Sequence, residues 1–171
     1  MLGLLQKLVR TLLGNYYLFR IYRLDLSSAP PVCDPGFTIF SEPYDGEPEN
    51  YAGPDSYGFA YEENGKRLCH CWVWYGERYR TRNFWPLKEN EAKLIALETD
   101  ETARGRGLAP KLLEYAAGKM GERGFNSLYA RIWHSNQASV KAFEKAGLRY
   151  YALVVEFDLL AKRCRVILPR R

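Results

Sequence analysis

The chain opens on apolar positions spaced along one helix face. Leu2, Leu4, Leu5, Leu8, Val9, Leu12 and Leu13 recur at helical spacing, with Lys7, Arg10, Arg20 and Arg23 interspersed or following and no acid before Asp25. The pattern predicts a basic amphipathic helix over residues 1–23. Lys7 and Arg10 break the apolar run well short of the ~20 residues that cross a bilayer, and no cleavable secretory segment is legible. Two readings stay open for this helix: packing on its own domain or on a second copy as a homodimer, or peripheral attachment to a membrane surface. Residues 27–36, with Pro30, Pro31, Pro35 and Gly36, read as a linker. The expected organisation is therefore a helix and linker over 1–36 and one globular domain over 37–171.

Within that domain the period alternates between strand and helix. Residues 37–40 form a short strand and residues 42–55, rich in Pro and Gly, a loop. Residues 57–62 and 67–75 form a hairpin whose turn carries Asn64-Gly65, a strong two-residue turn signal. Residues 91–99 are the next strand. Leu108, Leu112, Leu113, Ala116 and Met120 then mark a helix over 108–120. Residues 125–133 alternate as a strand, 136–146 form a helix ending at Gly147, and 149–157 and 165–168 are closing strands. Strands first, then two strand-helix units, predict an α/β (α+β) mixed sheet with helices on its faces.

The turn between the 91–99 strand and the 108–120 helix is the most informative segment. Arg104-Gly105-Arg106-Gly107-Leu108-Ala109 joins a buried-looking strand to a helix N-terminus, where unpaired backbone NH groups and a partial positive charge suit an anion. It is neither G-x-G-x-x-G nor a P-loop, since no Gly-Lys-Ser/Thr follows. What remains is R-x-x-G-x-A. Downstream, Asn136, Ser139, Phe143 and Gly147 fall into N-x-x-A/S-x-x-x-Y/F-x-x-x-G-F/L.

These two motifs, in this order, resemble those of the GCN5-related N-acetyltransferases, which move an acyl group from coenzyme A onto an amine. The resemblance covers residues 91–157 well, 37–75 by strand pattern only, and 1–36 not at all. It implies a mostly antiparallel twisted sheet of about six to seven strands with splayed central strands and helices on both faces. It further implies that pantetheine lies along the strand ending at Thr99, facing Leu97 and Thr99. The pyrophosphate takes the NH groups of Arg104, Gly105, Arg106, Gly107, Leu108 and Ala109, and Asn136, with Ser139 and Phe143 on the same motif, holds the arm from the other side. Asn136 is also placed to cap its own helix. The helices that cover the acceptor in this family have no counterpart between the first strands, so the acceptor pocket is open or closed by another segment or subunit.

An amine with a pKa near ~10.4 must lose a proton before it attacks. In a regular strand Glu91, Lys93, Ile95, Leu97 and Thr99 share one face and Ala92, Leu94, Ala96 and Glu98 the other, though a bulge would shift that parity. The resemblance favours a base on the Thr99 face, hence Glu91, while Glu98 is closer but on the opposite face. His134, of a residue type that titrates near about 6.5, is a further candidate, and water is another. The family's tyrosine acid has Phe143 in its place, which leaves Tyr150 or Tyr151 as substitutes.

Composition adjusts this picture only slightly. A net charge of +5 from 25 basic and 20 acidic residues suits anionic cofactors, acidic substrates, membranes or nucleic acid alike. The Arg- and aromatic-rich residues 72–82 read as strand and exposed loop, so no nucleic-acid partner is expected. Cys33, Cys69, Cys71 and Cys164 lack disulfide or zinc spacing, and in a strand His70 faces away from Cys69 and Cys71. No metal is expected, and the location expected is the cytoplasm. The expected activity is transfer of an acetyl or other acyl group from acyl-CoA to a primary amine of a small molecule or amino sugar, with a protein lysine as a further possibility. The competing expectation is a catalytically silent CoA-binding module.

Overall fold

A computed structural model describes residues 13–27, 36–43, 49–159 and 162–170. Eight strands build one sheet: β1 (Leu13–Asp25), β2 (Phe37–Phe40), β3 (Ser56–Glu63), β4 (Lys66–Trp74), β5 (Glu91–Thr99), β6 (Ser127–Trp133), β7 (Arg149–Leu159) and β8 (Lys162–Pro169). Their order is β2-β3-β4-β5-β6-β1-β7-β8, and every pair is antiparallel except β5 and β6. Among the described residues three α-helices accompany them: α1 (Gly76–Arg80), α2 (Leu108–Glu122) and α3 (Gln137–Lys145).

The first strand corrects the expectation of a helix through residue 23. Residues 16–22 are Tyr-Tyr-Leu-Phe-Arg-Ile-Tyr, aromatic and β-branched types that favour the pleated surface. Phe19 and Ile21 go to one face and Tyr22 to the other, each at most 1% exposed. Pairing on both sides, with β6 and β7, outweighs a helical pattern that belongs to the leucines further upstream. Residues 1–12 and most of the expected linker lie outside the described residues. Among the described residues the sheet thus has eight strands rather than about six to seven, and it does not begin at residue 37.

Helices cover both faces. On one side α2 buries Leu108, Leu112, Leu113, Ala116 and Met120 against Ala92, Leu94, Leu128 and Ala130, joined by Val140 and Phe143 of α3. Each fully buried Leu there contributes about 1.5–3 kcal/mol. The opposite face is closed by α1 and residues 81–90, which pack Tyr79, Phe84 and Trp85 onto Phe19, Ile21 and Tyr129. Residues 76–80 were expected as loop, and a helix this short carries little signal. As expected, α3 stops at Gly147: its NH bonds Glu144 O and the next NH, of Leu148, bonds Phe143 O, both at 3.0 Å.

Candidate active site

The two parallel strands separate partway along. β5 and β6 pair in register from Glu91 with Ser127 to Leu94 with Ala130 and no further. Past that point β5 is bulged: Trp72 faces Ile95 but His70 faces Glu98, so Ala96 and Leu97 have no cross-strand partner in register. Ala96 takes a φ of +49°, a left-handed conformation that costs an alanine about 1–2 kcal/mol. The bulge reverses side-chain parity. Ala92 and Leu94 face α2 and α3, and so do Leu97 and Thr99, whose hydroxyl lies 3.3 Å from Cys69 Sγ. Glu91 and Thr99 therefore stand on opposite faces, against the expectation of one shared set. Glu98, paired with His70, turns from α2 and α3, and its exposed side chain reaches the rim of the adjoining groove.

Beside the gap, the motif turn leads into α2. Asp100 starts it by accepting from Thr102 NH (2.9 Å) and from Lys66 Nζ (2.7 Å). Lys66, followed by the Thr102 hydroxyl and NH, holds the Asp100 carboxyl down at about 2. Gly105 and Gly107 adopt φ of +81° and +76°, which the missing Cβ permits cheaply. Gly107 is the N-cap of α2, with no side-chain cap and no acid in the first turn. Among the described residues nothing accepts from the NH groups of Gly105, Gly107, Leu108 or Ala109, so the helix start is an open donor set. The NH groups of Arg104 and Arg106, expected in that set, bond Glu101 O (3.3 Å) and Ala103 O (3.4 Å) instead. Their side chains are committed too, Arg104 to Glu101 and Arg106 to Glu63 at 2.8 and 3.1 Å.

A groove of about 740 Å³ runs past Thr99, Gly105, Gly107, Leu108, Ala109 and Asn136, and a small cavity of about 110 Å³ continues it into the gap between β5 and β6. Leu97, Asn136 and Ser139 line both, so the two form one path. Phe143 walls the inner end on the helix side, while Arg131 and Trp133 stand at its far mouth. Asn136 Oδ1 accepts from Ser139 NH at 3.0 Å, the expected cap, which leaves its amide NH₂ for the groove. Another cavity of similar size, about 690 Å³, is bordered by Arg23, Glu114 and Tyr151 but by neither the motif turn nor the strand gap.

The expected acid and base residues are dispersed. Glu91 is buried, with its carboxylate accepting from Lys88 NH (2.9 Å) and Tyr129 OH (3.2 Å), and it does not line the path. His134 and Tyr150 meet in a separate cavity with Arg20, Tyr22 and Glu144, which shares no lining residue with the path. Only Glu98 borders the groove.

Sequence reasoning missed Lys93 and Arg131. Lys93 is 4% exposed, donates to Arg82 O at 2.8 Å, and lies 4.6 Å from the Phe84 ring centroid. Burial, then Arg131 and Arg82, push its pKa down to about 7. The available signal was alternation: Tyr129, Arg131 and Trp133 share the face away from α2 and α3.

Comparisons with known proteins agree with the fold. Similar folds occur in a GNAT-family protein from Novosphingobium aromaticivorans (TM-score 0.63, 16% identity, 93% of this chain and 67% of that one) and in an acetyltransferase of the GNAT family from Colwellia psychrerythraea (0.62, 17%, 91% and 61%). A GCN5-related N-acetyltransferase from Sphaerobacter thermophilus aligns at TM-score 0.58 and 12% identity over 99% of this chain and 57% of that one. The chain thus spans about three fifths to two thirds of these neighbours' lengths. No curated protein matches the sequence significantly. The profile of the acetyltransferase (GNAT) family matches residues 18–148, most of the chain, and the chain belongs to that family.

Proposed function

We propose that this protein transfers an acetyl or other acyl group from acyl-CoA to a primary amine of a small molecule or amino sugar, by direct attack in a ternary complex. The observation that carries this reading is the path from the uncapped start of α2 through the gap between β5 and β6 to the opposite face of the sheet. Its ends suit a diphosphate and a thioester. The open NH groups of Gly105, Gly107, Leu108 and Ala109 and the positive end of α2 favour an anion. The narrow passage, walled in part by Leu94, Leu97, Ile132 and Phe143, suits an unbranched arm.

Acyl-CoA supplies an activated thioester, and the protein's part is to position, to desolvate and to move protons. In this reading Leu97 and Asn136 orient the arm, and a main-chain NH of the bulged stretch near Leu97 and Glu98 stabilises the oxyanion. The acceptor's proton leaves through water, with the Glu98 carboxylate at the rim. Phe143 has no hydroxyl to protonate the leaving thiolate, whose pKa near ~8.5 lets it depart unaided. The free thiols of Cys69, Cys71 and Cys164 suit a reducing compartment such as the cytoplasm, and no described helix is long and apolar enough to cross a membrane.

The phenylalanine at 143 and the committed Glu91 carboxylate favour one second reading, a silent CoA-binding module. Thiol release from acetyl-CoA over a panel of primary amines separates the two. Saturable, acceptor-dependent release supports the transferase, whereas CoA binding with no release on any amine supports the silent module.

A further inference from the structure

Arg131 stands at the far mouth of the passage, and its side chain makes no hydrogen bond or ion pair among the described residues. Its guanidinium is held between rings, 5.0 Å from the centroid of Phe19, 5.6 Å from Phe84 and 5.9 Å from Trp133. Rings fix its orientation without neutralising its charge. Arg165, Arg82 and the buried Lys93 all lie close enough to act on one another or on Arg131 electrostatically. The one acid that acts on Arg131 is Glu156, and it is buried and already bound by Arg165 at 2.5 Å. Among the described residues no carboxylate is left to pair with Arg131 or Arg82 at this mouth.

A purely cationic acceptor, such as a polyamine, would meet repulsion here. An anionic group beside the amine removes it, and an arginine fork clamps a carboxylate or a phosphate in two parallel hydrogen bonds. Such a clamp also holds the neighbouring amine against the passage, where orientation counts most. We infer that the acceptor carries a carboxylate or a phosphate next to its amine, and that Arg131 receives that group at the far mouth of the passage. This rests on the proposed acyl transfer for the meaning of the word acceptor. The chemical class is an amino acid or a phosphorylated amino alcohol or amino sugar.

The test is calorimetric titration of the full chain, with and without CoA, using three pairs that differ only in the anion: glycinamide and glycine, ethanolamine and O-phosphoethanolamine, glucosamine and glucosamine 6-phosphate. The anionic member of at least one pair should bind about tenfold tighter or better. The first pair identifies a carboxylate and the other two a phosphate. Arg131→Gln should erase the difference, and Arg131→Lys should restore part of it. Equal binding within all three pairs, no binding by any ligand, or a difference that Arg131→Gln leaves intact overturns the inference. Failure of CoA itself to bind counts against the acyl-transfer reading, while the anion comparison still reads out on the protein alone.

Discussion

Lys93 links packing to charge at a single residue. Its native pKa lies near 7, well below the ordinary 10.5, because burial disfavours the ammonium form. Between those values the unfolded chain binds more protons than the folded one, so stability rises as pH climbs through the window and the penalty is complete below about 7. The slope approaches about 1.4 kcal/mol per pH unit at its steepest. Between pH 7 and pH 9 Lys93 alone should contribute a gain on the order of 2 kcal/mol in chemical denaturation, set against a loss from the buried thiols of Cys69 and Cys71, whose pKa burial raises. Lys93→Met should remove most of that gain, and an identical slope in the variant would refute the assignment. Asn136→Ala is the second test at this scale. It removes both the cap, worth about 1 kcal/mol, and the amide facing the groove, so titration should find weaker CoA binding together with a small fall in melting temperature. How legible such residues are depends on whether their role is local. The capping of Asn136 and the stop at Gly147 follow from neighbours in the chain. The roles of Lys93 and Arg131 come from Phe19, Phe84 and Arg82 on other elements, which no local pattern reveals.

Among the elements, β5 decides how the motif residues face. The R-x-x-G-x-A turn and the start of α2 were readable because glycines, a helix N-terminus and an apolar period coincide there. Parity in β5 was not, since a bulge depends on how β4 pairs with it and alanine at 96 gives no sign of a positive φ. That one extra residue separates Glu91 from Thr99 and turns Glu98 outward. Relief of the left-handed strain should make Ala96→Gly at least as stable as the parent, whereas a β-branched side chain there should be worse. Ala96→Val is expected to cost about 1–2 kcal/mol in denaturant melts. Equal stability of the glycine and valine variants would argue for a regular strand. The committed side chains of Arg104 and Arg106 show a similar limit. Motif identity places their backbone, but Glu101 and Glu63 decide where their charges go.

For the molecule as a whole, the chain's first described strand is an interior strand of its sheet. β1 lies between β6 and β7, so the strand that follows the gap is shielded by residues far upstream in sequence. Leucine periodicity in residues 2–13 masked this, because the helical pattern runs directly into the aromatic stretch that makes the strand. Removing residues 1–25 should therefore abolish cooperative unfolding and near-ultraviolet dichroism, and a truncated chain that melts like the parent would show that β1 is dispensable. The sheet matters for function because it holds the start of α2 and the gap between β5 and β6 on one path. The most direct test is calorimetric titration of CoA into the wild type and into Gly107→Asp. Aspartate tolerates the left-handed conformation at 107 better than most residues, so the variant keeps its fold while placing a carboxylate against the open donors. Wild-type binding with affinity lost in Gly107→Asp is the expected result, and undiminished binding in the variant would contradict it.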